Sequence, residues 1–503
     1  GTVLLKTPYR FFVRRRPPLS RVLHLIGDKT FDAWGIMKQP GDYNQFFDSD
    51  WQKDLTRFMK RDRNHPSIVI WSTGNEIPER GGMNNGYTLA TRLAEAAHRL
   101  DPSRPISNAI CSYWSGLDDE LNEENFQKIL AEISGEAASV QNADTGKNDT
   151  SWEEYSEAFT NGLDIVGYNY MEDKYPLDHE MFPERVILGS ENYPKEIGMR
   201  WPMVEATPYV IGDFTWTAYD YIGEAGIGKS VFLDPDDPLL KMGPFALMSH
   251  SSAFPWRLAN DADVDINGGL LPQGAYRSIV WGSDKTYLYS YDPSVFGKTE
   301  LISSWGFTDV TKNWNWKDAD HKPVQVAVFS NGDEVELIQN GTSIGKLTAG
   351  TRLAADLPKS FLFDLTYLPG TLEAVSYKDG KELSRDTLTT AASAKTIRLI
   401  PEKTELSANG HALAYIRIEI VDENGVVVPD AAIKLHADVK GAGKLAAFGS
   451  ANPITDENYT AGDFTSYRGV ATAIVQSGYE AGLCTLTVSG EGFEEKSVEL
   501  KIK

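Results

Sequence analysis

The stretch NHPSIVIWSTGNE, residues 64–76, decides how the rest of the chain is read. Ile68-Val69-Ile70-Trp71 is an unbroken apolar run of the kind buried in a parallel sheet, so a strand is predicted at 67–71. Ser72-Thr73-Gly74-Asn75-Glu76 follows at once. In a barrel of alternating strands and helices, reacting groups stand just past the carboxyl ends of strands. A carboxylate there, beside an amide and behind a glycine that lets the backbone turn, is placed to meet a substrate. The plainer alternative is a solvated loop glutamate.

Working outward, short β-branched runs alternate with helical stretches up to about residue 235, the signature of βα units. Strands are predicted at 22–26, 67–71, 106–110, 164–168, 186–189 and 210–216, with helices at 51–61 and 88–100. Asp101-Pro102 stops the second helix. Six strands fall short of the eight a closed barrel needs. In VILGSE, residues 186–191, an apolar strand again ends in small residues and a glutamate, Glu191. Two carboxylates on one rim suit glycoside hydrolysis, one protonating the leaving oxygen and the other attacking the anomeric carbon or activating water. In VIGDFTWTAYDYIGE, residues 210–224, Trp216 falls near the expected mouth. It reads either as an apolar floor for a sugar ring or as a barrel-core side chain.

HPSIVIWSTGNE followed by ILGSE and DFTWTAYDYIGE resembles glycoside hydrolase family 2, the β-galactosidase and β-glucuronidase family. The resemblance implies a retaining, exo-acting β-glycosidase. It makes Glu76 the acid/base, Glu191 the nucleophile, Asn75 a partner of the sugar 2-hydroxyl and Trp216 a subsite wall. Tyr170 in DIVGYNY resembles the tyrosine that bonds the nucleophile, with Tyr168 and Asn169 as competing choices. Neighbouring charge and partial burial would keep Glu76 protonated until it donates. A β-D-galactoside is the expected substrate and a β-glucuronide the alternative; Asn315-Trp316-Lys317 has the spacing of a uronate-binding pair but lies beyond the barrel. From a different class, the chain could be a noncatalytic carbohydrate-binding or adhesin-like protein, although binding alone does not need both glutamates.

From about residue 296 the pattern changes to strand alternation. Asn331-Gly332, Asn340-Gly341, Asp379-Gly380 and Asn424-Gly425 mark turns, and 324–329 with 334–338 is predicted as one hairpin. TLTTAASAK, residues 387–395, reads as a linker. The expected fold is therefore multidomain: an incomplete (β/α)8 TIM barrel followed by two all-β immunoglobulin-like sandwiches. The domains are placed at 1–235, 236–295 as a connecting segment completing the barrel, 296–392, and 396–503 as an immunoglobulin- or invasin-like module.

Composition bounds the partners. Among 503 residues the formal net charge is −22, which argues against a phosphate backbone as partner. The basic stretch within residues 1–21 is followed by no apolar run of signal-peptide length, and no 18-residue apolar span occurs. No nucleic acid and no membrane is expected, a cytoplasmic location is favoured over export, and homo-oligomerisation is left open. Cys111 and Cys484 read as buried small hydrophobes, and the 8 His show no metal-ligand spacing, so no metal or cofactor is expected.

The resemblance also has departures. Family members carry a sugar-binding and an immunoglobulin-like domain ahead of the barrel, and neither is expected in this sequence. Residues 6–18, KTPYRFFVRRRPP, hold no His, and Lys29 replaces an acid in Asp28-Lys29-Thr30-Phe31-Asp32. These departures lead to the expectation of an altered leading segment, unpaired barrel edges and impaired activity.

Overall fold

The computed structural model describes residues 43–81, 85–111, 156–242, 247 and 252–503. The strand predicted at 22–26 and the stretches 6–18 and 28–32 lie outside the described residues. The chain divides into one unit of residues 1–193 and 200–215, and another of 194–199 and 216–503. No described helix is long and apolar enough to cross a membrane.

The first unit is built on a parallel sheet. β1 (Trp71–Asn75), β2 (Ile106–Cys111), β3 (Ile165–Asn169), β4 (Ile187–Asn192) and β5 (Val210–Thr215) lie side by side in chain order. Parallel neighbours need a crossover connection, and among the described residues helices lie between β1 and β2, between β3 and β4 and between β4 and β5. In α1 (Phe47–Asp62), Phe47, Trp51, Leu55 and Met59 recur at helical spacing. Acids in its first turn and bases in its last suit the helix dipole. α2 (Gly86–Leu100) buries Ala90, Leu93, Ala94 and Ala97. One cluster joins Met59, Ala94 and Ala97 to Ile68, Trp71 and Ile106, so the helices cover one face of the sheet.

The apolar run that led the sequence reading is not itself the strand. Ile68 is buried but Val69 is 48% exposed, and pairing begins only at Trp71, whose N–H donates to the Pro105 carbonyl at 3.0 Å. The cause is Arg104. Its Nε donates to the Ile68 carbonyl at 2.7 Å and its Nη2 to that of His65 at 3.3 Å, so these carbonyls are satisfied by a guanidinium instead of a ladder.

In the second unit, β6 (Ser230–Leu233) pairs with β8 (Thr299–Ile302), and two sandwiches follow. In the first, β7 (Tyr287–Ser290), β9 (Pro323–Phe329) and β12 (Ser360–Thr366) form one sheet. β10 (Glu334–Gln339), β11 (Thr342–Thr348), β13 (Thr371–Lys378) and β14 (Lys381–Thr389) form the other. Val326, Phe361 and Phe363 of one sheet share a core with Val335, Leu337 and Leu372 of the other. α3 (Pro272–Val280) docks here through Tyr276, whose hydroxyl donates to the Pro358 carbonyl at 2.7 Å.

The predicted 324–329 and 334–338 hairpin does not form, because β9 and β10 belong to different sheets. Asn331 is occupied elsewhere: its Nδ2 donates to the Ile279 and Ser283 carbonyls at 2.6 and 2.9 Å, stapling the turn to the end of α3. By contrast Asn340-Gly341 and Asp379-Gly380 do close hairpins, with φ of 50°, 79°, 50° and 71°. Two successive positive φ values are what a tight two-residue hairpin turn demands.

The last sandwich sets β15 (Thr396–Pro401), β17 (Leu413–Val421), β21 (Val470–Ser477) and β19 (Gly443–Gly449) against β16 (Glu405–Leu406), β23 (Lys496–Ile502), β22 (Gly482–Gly490), β18 (Lys434–Gly441) and β20 (Asp463–Thr465). Its core includes Cys484, which like Cys111 is buried and in no disulfide among the described residues. The expected linker is not free chain. Thr387, Leu388 and Thr389 lie in β14, and Ala391 is buried in the last sandwich's core, its N–H held by Asn315 Oδ1 at 2.7 Å.

Asp101 ties the start of β1 to the end of α2. Burial opposes its charge, but hydrogen bonds from Ser103, Trp71 Nε1 (2.9 Å) and Arg104 Nη1 (2.5 Å) outweigh this and hold the carboxyl well below the usual range. A depressed carboxyl stabilises the fold above the unfolded-state value, and that stability is lost as pH falls through the folded-state value. Asp101→Asn is therefore expected to lower unfolding free energy by about 3 kcal/mol at pH 7. The gap to wild type should shrink as pH drops below about 4, read from urea midpoints at both pH values.

Candidate active site

Along β3 the side chains alternate: Val166 and Tyr168 join the core beneath the helices, leaving Asn169 on the opposite, inner face. Ile187 of β4 lies on the helix side too, and a Cβ on Gly189 would come 2.8 Å from the Tyr175 hydroxyl on that side. Strict alternation would send Glu191 the same way. It does not, because β4 holds one residue too many: Tyr168 pairs with Gly189, yet Asn169 pairs with Glu191. The neighbour β5 registers the same excess, with Gly189 opposite Asp213 and Asn192 opposite Thr215. Such a bulge re-aims a side chain, and here it turns Glu191 to the face of Asn169.

β1 uses the same device. Ser72 pairs with Ser107 but Asn75 with Ala109, so an extra residue near Gly74 brings Asn75 onto the inner face. Glu76 then adopts left-handed backbone, φ 52°, with its N–H donating to the Ala109 carbonyl at 2.8 Å. Tyr170, at the end of β3, is also left-handed (φ 57°), its N–H donating to the Glu191 carbonyl at 2.8 Å. Conformations of this kind cost about 1–3 kcal/mol in non-glycine residues and collect at functional sites.

The side chains converge. Asn169 Nδ2 donates to Asn75 Oδ1 at 2.9 Å and to Glu76 Oε1 at 3.0 Å, while its Oδ1 accepts from Ser190 Oγ at 2.7 Å. The Tyr170 hydroxyl donates to Glu191 Oε2 at 3.1 Å, and its ring stacks on Tyr193 with centroids 4.5 Å apart. Asn192 Nδ2 donates to Asp213 Oδ2 at 2.6 Å on the next strand. Asn75, Glu76, Asn169, Tyr170 and Glu191 thus form one polar layer along the carboxyl ends of the strands.

Tyr168 is not part of it. Its buried ring packs 5.8 Å from that of Tyr175, on the helix side beside Asp178 and Arg185. The expectation that it lines the site is corrected by alternation within β3. Asn169, a competing choice in the sequence, is the hub of the layer. Ser190 and the two extra residues were not foreseen; the small residues just before each glutamate are the signal for them. Trp216 directly follows β5 and opens the second unit, where its ring stands edge-on to Tyr221 at 6.0 Å.

A pair of glutamates anchored at strand ends in a hydrogen-bonded layer can act as proton donor and nucleophile at one centre. Among the described residues no group of three or more His, Cys, Asp or Glu side chains is arranged to hold a metal ion.

Family models match three regions. The model for the TIM barrel domain of family 2 glycosyl hydrolases covers residues 30–176, and that for C-terminal domain 5 of the same family covers 397–499. A domain of unknown function matches 321–384. The chain belongs to glycoside hydrolase family 2. The crystal structure of a family 2 member from Bacteroides cellulosilyticus is similar over 94% of this chain and 54% of its own, with 30% identity and a TM-score of 0.73. A β-galactosidase from Bacteroides ovatus is 23% identical over 96% of this chain, and a β-glucuronidase from Paenibacillus borealis 26% identical over 35%. The family 2 chain described here spans 55% of the length of the B. ovatus protein.

Asn169→Asp replaces a donor with an acceptor facing two oxygens. It should lower unfolding free energy by about 1–3 kcal/mol at pH 7, while Asn169→Ala, which adds no charge, should cost less than the aspartate. Chemical denaturation of both variants checks the order.

Proposed function

We propose that this chain is a retaining, exo-acting β-glycosidase working by double displacement. The observation that carries the reading is the single layer joining Glu76 and Glu191 through Asn169, Ser190 and Tyr170. Glu191 attacks the anomeric carbon while Glu76 protonates the leaving oxygen. Glu76 then takes a proton from water, which cleaves the glycosyl-enzyme with net retention. The Tyr170 hydroxyl orients the Glu191 carboxylate and disperses its charge. Asn75 bonds the sugar 2-hydroxyl, and Trp216 supplies the apolar platform under the ring.

A β-D-galactoside is the substrate we put first, supported by the B. ovatus relative and by the DFTWTAYDYIGE segment. A β-glucuronide is the second, supported by the P. borealis relative. The Asn315-Trp316-Lys317 spacing does not favour the uronate. Lys317 Nζ pairs with Asp430 at 2.5 Å, and the Asn315 side chain bonds the backbone of Ala391 on both sides, so these groups join the sandwiches to one another. We further read the last sandwich as immunoglobulin-like, since its two sheets follow that fold's strand order.

The 503-residue chain should release nitrophenol from the β-galactoside faster than from the β-glucuronide, and proton NMR should show the β-anomer as first product. Glu191→Gln and Glu76→Gln should each lower kcat/KM by about 10²–10⁴-fold or more without loss of fold. A first-formed α-anomer overturns double displacement. A folded wild-type chain that binds sugar and never turns it over supports the adhesin-like reading instead.

A further inference from the structure

The loop after β5, from Trp216 to Glu224, lies against residues 257–264. Asp220 N–H donates to the Val264 carbonyl at 2.9 Å, Gly223 N–H to Arg257 at 2.9 Å, and Ala259 N–H to Tyr221 at 3.1 Å. Asp263 and Val264 N–H groups return bonds to Thr217 and Ala218 at 3.1 and 3.0 Å. The strip is in turn held by the last sandwich. Arg257 N–H donates to the Pro453 carbonyl at 2.8 Å, Thr455 N–H to that of Pro255 at 3.0 Å, and Arg257 Nη1 to that of Glu457 at 2.6 Å. The approach is close: a Cβ on Gly226 would fall 2.3 Å from Ser252 Oγ and 3.1 Å from Trp256 Cε2. The result is three successive backbones, a loop, a strip and a sandwich edge, each hydrogen-bonded to the next.

Within the loop the Trp216 and Tyr221 side chains hydrogen-bond, and the Tyr221 hydroxyl donates to the Glu224 carboxylate. Burial and the charges of Asp261 and Glu224 push the phenol well above its ordinary value, so it stays a donor. Glu224 is held in left-handed backbone, φ 44°, which persists only where surroundings over-determine it.

We propose that Tyr221 is a positioning residue for the Trp216 indole, and that the last sandwich, through Arg257 and residues 453–457, fixes the backbone on which both stand. This rests on reading Trp216 as the sugar platform. The last sandwich is then a working part of substrate binding, although no residue of it need touch the sugar. A platform must be held within about half an ångström of its productive position, and a surface loop does not achieve that unaided.

The test uses the full chain labelled with fluorotryptophan, the Trp216 fluorine resonance being assigned by its loss in Trp216→Phe. Arg257→Ala removes the side-chain bond to the Glu457 carbonyl while keeping the backbone bonds, and Tyr221→Phe removes the phenol while keeping the ring. Both should move the Trp216 resonance and raise KM for the aryl glycoside about tenfold with kcat changed much less, the mark of lost uniform binding. Arg257→Lys, which keeps a donor for the Glu457 carbonyl, should recover part of the effect. The proposal is overturned if Arg257→Ala leaves the Trp216 resonance and KM at wild-type values, or if it moves every indole resonance alike. A wild-type chain without turnover defeats the glycosidase reading alone; the Trp216 resonance still decides whether the sandwich positions the indole.

Discussion

Asn169 Nδ2 sits within hydrogen-bond distance of Asn75 and Glu76, two strands away across β2. In a flat sheet, strands two apart are separated by nearly 10 Å, too far for short side chains to bridge. The bond therefore requires a sheet that curls toward this face, as a barrel wall does. Curvature brings donors and acceptors together, and their bonds in turn pin the curve. Because each buried polar atom of the amide is used, the network stiffens the rim; half-satisfied, it would weaken the same rim.

The placement of Glu76 and Glu191 at the carboxyl ends of parallel strands was legible in the sequence because apolar runs, glycine and carboxylate fall in a recognisable order. The order of the five strands follows from parallel βα connections, and the helices from apolar spacing and charged ends. What was not legible was how each carboxylate comes to face inward. Plain alternation, applied to Ile187 or Trp71, sends Glu191 and Asn75 to the helix side, and only pairing with neighbouring strands shows the extra residue. Tyr168 and Tyr170 were indistinguishable for the same reason: two residues apart, they share a face only if the strand continues, and β3 ends at Asn169.

The sandwiches teach a parallel lesson about local signals. Asn-Gly at 340–341 and at 331–332 is one dipeptide in two settings. The first meets an antiparallel partner and closes a hairpin; the second spends its amide on α3 and carries the chain from one sheet to the other. A turn signal thus reports where the chain reverses, and tertiary contacts decide what it reverses onto. Residues 387–395 show the same: small polar composition suggested slack, yet Ala391 is a core residue and its N–H is claimed by Asn315.

The extra residue of β4 has a further meaning. Between Gly189 and Glu191 the chemistry of the rim depends on a count, since parity along a strand is set by how many residues precede a position. Loss of one residue there would turn a carboxylate outward with every remaining side chain unchanged in kind. Over that short interval the number of residues constrains the gene as tightly as their identity does.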